Sequence, residues 1–254
     1  MIVTQLKNII YCLLICSLST TLYAQTNWTG GAGDNNWNDA ANWSAGVPTS
    51  TSDVTIQNVA TFPILSSSAA INSLVINNSA SLTIDAGGSL TISSNLTNNG
   101  TLSANSSGAV IFDGTTNASI SGTGTTTFQA LTISKTSSAI LSLDKTITTE
   151  GTVTISSSAT LELSAGITLN VNSNLTNNGT FTANNTGSTI VVGGASEASF
   201  RNNDFSVYNL TIAKTASSPA TNSDARVRLR SGMAITVDNY LQLNTGRSKP
   251  YITF

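Results

Sequence analysis

Short apolar runs recur along the chain at strand spacing rather than helix spacing. Leu74-Val75-Ile76, Leu82-Thr83-Ile84 and Leu90-Thr91-Ile92 follow one another at eight-residue intervals. In each triplet the outer aliphatics share one side and the middle residue takes the other, as the two-residue period of an extended strand requires. Leu96, Leu102, Val110/Phe112, Ile120 and Phe128 continue the series. Val153/Ile155, Leu161/Leu163, Leu169/Val171, Leu175 and Phe181 restate it further on. Asn-Asn-Gly, Gly-Gly and mixed Ser/Asn/Gly clusters separate the runs, and these residues favour turns. Strands of three to five residues with a turn every six to ten fit a coil of stacked turns better than a sandwich, whose strands run longer.

The pattern is also a repeat. Ser-Asn-Leu-Thr-Asn-Asn-Gly-Thr occurs at 94–101 and again at 173–180, an offset of 79. The same offset relates Leu82-Thr83-Ile84 to Leu161-Glu162-Leu163, Gly87 to Gly166, and Leu131–Thr136 to Leu210–Thr215. Repetition on this scale points to a solenoid. The fold class it predicts is all-β, a single-stranded parallel β-helix over residues 54–254. At roughly 20–25 residues per turn, about ten turns fit, spanning on the order of 45 Å. Asn98-Asn99-Gly100 and Asn177-Asn178-Gly179 read as equivalent corners of the coil.

Residues 25–53 break the texture and hold all three tryptophans, Trp28, Trp37 and Trp43. The first turn of a solenoid leaves its core open, and a terminal segment must cover it. Each indole buries roughly 200 Å², so this segment is expected to be an N-terminal cap. The alternative is that the indole faces stack on sugars. After Thr215 the second copy gains Ala216 to Arg226, which reads as an inserted loop. The natural chain either continues beyond residue 254 or folds its last segment into a minimal cap.

Residues 1–24 carry Lys7, an apolar run from Ile9 to Leu18, and Leu22-Tyr23-Ala24 before Gln25. That is the shape of a secretory signal peptide cleaved near Ala24. Both cysteines, Cys12 and Cys16, lie inside it, so the mature chain is expected to fold without disulfides in a secreted or cell-surface location. No later stretch reads as a membrane span.

Charge narrows the chemistry. Charged residues make up 9% of the chain, histidine is absent and net charge is −2. Without histidine or a mature cysteine, the usual zinc sites and histidine-based triads have no ligands or bases. The twelve acids are scattered, with no calcium-loop spacing. No catalytic residue, metal or cofactor is assigned, and the chain is expected not to be an enzyme. The slight negative charge and the lack of interleaved aromatics argue against nucleic acid.

Seven of the nine basic residues after residue 24 lie between 201 and 249. Arg226, Arg228 and Arg230 alternate, so a strand would aim all three guanidinium groups one way. They form a candidate patch for acidic glycan or phosphate; an edge strand protected by charge is the alternative. Thr83, Thr91, Thr132, Thr154, Thr211 and Thr236 take outward strand positions. The strict Thr-x-Thr pairs 146/148, 152/154 and 180/182 are few for a continuous ice-ordering plane.

Residues 27–56, with Asn-Trp-Thr-Gly-Gly, Asn-Asn-Trp, Asn-Trp-Ser, Gly-Val-Pro and Asp-Val-Thr-Ile, resemble the start of autotransporter-like β-helix passengers. Residues 80–215 resemble the Asn/Thr-rich repeats of secreted Bacteroidetes surface proteins, in Leu-Thr-Ile-Asp-Ala-Gly-Gly-Ser-Leu-Thr-Ile and Val-Ile-Phe-Asp-Gly-Thr-Thr-Asn-Ala-Ser-Ile-Ser-Gly. The resemblance implies type IX export and an adhesin-like or scaffold role against a glycan, host or biofilm surface. A polysaccharide lyase or hydrolase is the main alternative, and a threonine-faced ice or glycan binder the next.

Overall fold

A computed structural model describes residues 23–105, 107–215, 226–230, 232–244 and, for backbone alone, 251–253. Residues 1–22 of the expected signal peptide and residues 216–225 of the expected insert lie outside the described residues, whereas Ala24 opens the first strand and Arg226 opens a later one.

The chain winds into a parallel β-solenoid of about seven turns built from three separate strands each, from Ser52–Ile56 to Ala198–Asn202. In the two turns that follow, one long strand spans two faces. The estimate of about ten turns therefore ran slightly high.

The first face stacks Ala24–Trp28, Ser52–Ile56, Ser73–Ile76, Leu96–Asn98, Ala118–Ser121, Ile140–Leu143, Thr160–Leu163 and Thr180–Ala183. The second stacks Ile64–Leu65, Ser81–Ile84, Thr101–Ala104, Thr125–Phe128, Ile147–Thr149, Thr168–Val171 and Thr189–Val192. Phe205–Ile212 and Ile235–Leu243 then continue both faces, turning the corner at an irregularity between Val207 and Asn209. The third stacks Ser68–Ile71, Ser89–Ile92, Ala109–Phe112, Ala130–Ile133, Val153–Ile155, Leu175–Asn177, Ala198–Asn202, Arg226–Leu229 and Tyr251–Thr253.

Register partners are 20 residues apart at Val54/Leu74 and 24 apart at Leu96/Ile120, the variation being taken up at corners. Alternate residues of the strands from Ser52–Ile56 to Thr189–Val192 point inward and form one continuous core. Leu74, Ile76, Leu82, Ile84, Leu90 and Ile92 are all fully buried within it.

The 79-residue repeat is not a whole number of turns. Leu96–Asn98 lies on the first face, but its copy Leu175–Asn177 lies on the third. Leu82–Ile84 belongs to the second face and Leu161–Leu163 to the first. The two Asn-Asn-Gly runs therefore occupy different corners of the prism, which corrects the expectation of one stacked position. Locally the corners match. Asn99 and Asn178 donate their backbone N–H to Ile76 and Ile155 at 2.8 Å, and Thr101 and Thr180 donate to Ala80 and Ala159 at 2.9 and 3.0 Å. A Cβ at Gly100 would stand 2.1 Å from the Ala80 carbonyl, and one at Gly179 would stand 2.3 Å from that of Ala159. Glycine is needed here because the turn beneath leaves no room for a side chain. Neither of these glycines is among those with positive φ.

The two ends differ. At the N-terminus, Ala24–Trp28 already pairs with Ser52–Ile56, and Asn36 bridges Ile64, so this segment forms a partial turn on two faces. The boundary expected at residue 53 falls inside a strand. At the other end, Tyr240, Leu241 and Leu243 are 42–48% exposed. A cavity of about 140 Å³ opens there among Phe200, Leu210, Val227, Leu229, Val237 and Leu241.

Candidate functional site

The tryptophans are packed into the fold. Trp28 and Trp37 are fully buried and Trp43 is 5% exposed. Trp43 meets both others edge-on, at centroid distances of 5.1 and 4.8 Å. The Trp28 indole N–H donates to the Thr61 carbonyl and that of Trp43 to the Trp37 carbonyl, each at 2.7 Å. Asn42, fully buried between them, donates to Asp34 at 2.7 Å and to the Asn36 carbonyl at 3.1 Å, and accepts from the Ala32 N–H at 2.9 Å. Two hydrogen bonds, from the Asn36 N–H and from Asn42, hold the Asp34 carboxyl below its ordinary pKa. A sugar platform needs an open indole face, and these rings present none, so the stacking alternative is overturned.

The arginines are brought together. Arg226 and Arg228 point outward from Arg226–Leu229 on the third face, and Arg230 follows directly. All three approach one carboxylate. Arg228 Nε lies 3.1 Å from Glu197 Oε2, Arg226 Nη1 lies 3.9 Å from the same oxygen, and Arg230 Nη2 lies 3.9 Å from Oε1. The turn beneath adds Arg201, which is exposed and in register with Thr176. The Arg230 N–H donates to the Phe200 carbonyl at 2.9 Å, which seats Arg201 and Arg230 on adjacent turns about 4.8 Å apart. Three guanidinium groups thus surround one carboxylate, with a fourth arginine on the turn beneath. The side chains of Arg226, Arg228 and Arg230 keep 24, 33 and 45% of their surface in water. Exposed ion pairs contribute only about 0–1 kcal/mol each, so the grouping adds little to stability. It does create a local positive field on a chain whose net charge is −2.

Lys214, counted in sequence among the C-terminal basic residues, is not part of this surface. It is 4% exposed and donates its Nζ to the Gly193 carbonyl. Its repeat equivalent Lys135 is likewise buried and caps the carbonyls of Ser93 and Asp113 at 3.1 and 2.6 Å. Lys145 does the same for Asn98 at 3.2 Å and Gly124 at 2.5 Å. Each lysine closes a different corner of the prism by satisfying carbonyls of the turn or turns beneath it. Burial lowers the pKa of all three; Asp113 partly opposes this at Lys135, and Lys214 falls to about 8. Sequence reasoning missed this role, although the 79-residue correspondence of Lys135 and Lys214 was a visible signal.

The threonines do not form the array their strand positions suggested. Thr83 and Thr211 are on the second face, Thr91, Thr132 and Thr154 on the third, and Thr236 on the first. The three strict pairs divide the same way, with 146/148 on the second face, 152/154 on the third and 180/182 on the first.

Among the described residues, no cluster of acids, histidines or cysteines could hold a metal ion, and no helix is long and apolar enough to cross a membrane. A family model described as a domain of unknown function (DUF8693) matches residues 27–147. That span takes in the tryptophan segment and the earlier turns, and ends before the arginine cluster. No curated protein and no solved structure matches the chain.

Proposed function

We propose that this chain is a segment of an exported, non-enzymatic surface protein, an adhesin-like scaffold that engages anionic extracellular glycan through the third face near its C-terminal end. The observation that carries the ligand class is the convergence of Arg226, Arg228 and Arg230 on Glu197, with Arg201 one turn below. Planar guanidinium groups on adjacent turns present forked donors about 4.8 Å apart, a spacing suited to sulfate, phosphate or uronate groups along a polymer. Export rests on the signal-like segment at 1–24, and the scaffold role on the resemblance to secreted Bacteroidetes repeats. The rigid stack supplies the platform, since each strand is held by the turns on both sides.

Retention of the purified chain on heparin and on polygalacturonate, measured against salt, tests this reading. The parent should bind at low salt and release as screening grows. Arg226→Gln/Arg228→Gln/Arg230→Gln should lose binding, whereas Glu197→Gln should bind more tightly because it removes the one neutralising carboxylate. Equal retention of parent and triple variant would sink the proposal. Shortening of either polymer would establish the lyase or hydrolase alternative instead.

A further inference from the structure

The second face carries a hydroxyl array independent of the arginine cluster. One outward column runs through Ser81, Thr101 and Thr125, and continues through Thr146, Thr168 and Thr189. Two residues further along each strand, a parallel column runs through Thr83, Ser103, Thr127 and Thr148, until Asn170 and Val191 interrupt it. Thr101, Thr125 and Thr146 are exposed, and their neighbours in the second column are half-buried. No strand of this face from Ser81–Ile84 to Thr189–Val192 contains a charged residue, and its one aromatic, Phe128, points into the core. The other faces carry their charge outward, at Asp53 and Glu162 on the first and at the arginines on the third.

We propose that this face binds ice. A β-branched side chain has few rotamers, so each threonine holds its hydroxyl and methyl in fixed positions. The backbone sets the lattice at about 4.8 Å between turns and about 6.6 Å between columns. The Thr146 hydroxyl oxygen accepts from the Thr168 N–H, and that of Thr148 from the Asn170 amide, each at 3.4 Å. Both hydroxyl protons are thereby left to donate outward. A surface repeating in two dimensions at water-sized intervals, part hydroxyl and part methyl, templates a layer of ordered water. The ligand that continues such a layer is itself a two-dimensional water lattice. A polysaccharide repeats along one direction and is gripped by aromatic or charged groups, which these strands do not present.

Thermal hysteresis and inhibition of ice recrystallisation test this with the purified chain. Parent protein should hold a hysteresis gap and slow recrystallisation. Thr127→Tyr and Thr148→Tyr, in the centre of the array, should lose most of both effects. Thr182→Tyr on the first face should keep them. Tyrosine suits outward strand positions, and circular dichroism confirms that each variant is folded. No hysteresis and no inhibition by the parent would overturn the proposal, as would an equal loss in the Thr182 variant. Binding to microcrystalline cellulose that the second-face variants abolish, without any effect on ice, would also overturn it and reassign the face to neutral polysaccharide.

Discussion

The two ends of the stack solve the same problem differently. Both must deal with a hydrophobic interior that the next turn would normally cover. At the N-terminal end, three interlocked indoles and the hydrogen-bonded hub of Asn42 cover Val54, Ile56 and Leu65, and each of these is essentially fully buried. At the last described turns, Leu241 and Leu243 are 48% exposed and a cavity of about 140 Å³ remains. The interior turns can be copied from one another because each sees the same neighbours above and below. An end sees a neighbour on one side only, so a covered end needs sequence that the repeat cannot supply.

The largest effect should come from breaking the covered end. Trp43 touches both other indoles, and Trp43→Ala should cost about 3–5 kcal/mol. Denaturant titration gives the loss, and hydrogen exchange should show it concentrated in residues 24–65. If the loss were instead spread evenly along the stack, the covered end would have no local role.

Next comes Gly100→Ala, which drives a Cβ to within 2.1 Å of the Ala80 carbonyl. Overpacking of this kind costs about 1–3 kcal/mol. Gly179→Ala should cost a similar amount despite lying on another face, which thermal melts of both variants would check. A large inequality between them would show that distance from the covered end, rather than the local corner, sets the cost.

A titration effect near the open end should be smaller. Lys214 has its pKa lowered to about 8 by burial from an ordinary 10.5. Between these values the unfolded chain binds more protons than the folded one, so stability should rise as pH climbs from 8 to 10.5 and level off beyond. Lys214→Met should flatten that rise in denaturant titrations across the range. An unchanged pH slope in the variant would assign the effect to other groups.

The smallest change should come from Leu241→Ser/Leu243→Ser. With half of each side chain already in water, stability should shift by only about 0.5 kcal/mol per site. Self-association, read by light scattering, should fall because an apolar strand edge is removed. A loss as large as that of Trp43→Ala would mean that the open end is as well covered as the other.

Much of this was legible in the strand pattern. The alternation in Leu74-Val75-Ile76 and its relatives identified inward and outward positions, because a two-residue period leaves no other choice once one side is buried. The meeting of Arg226, Arg228 and Arg230 at Glu197 was only partly legible. Their alternation placed them on one side of a strand, but Glu197 and Arg201 belong to the turn beneath, 29 and 25 residues before Arg226, a separation that no local pattern bridges. The threonine columns were hidden for the same reason. Their members are separated by turns of unequal length, so a fixed spacing picks out residues on three different faces.

The sequence by itself therefore determined the local rules: strands of three to five residues, which side of each is apolar, and where a corner must fall. Those follow from side-chain periodicity and turn chemistry, which act over a few residues. Only the tertiary structure decided which strands share a face. That depends on how many residues each corner consumes, summed around the turn, and it is why a repeat of 79 residues returns the same octet to a different side of the prism.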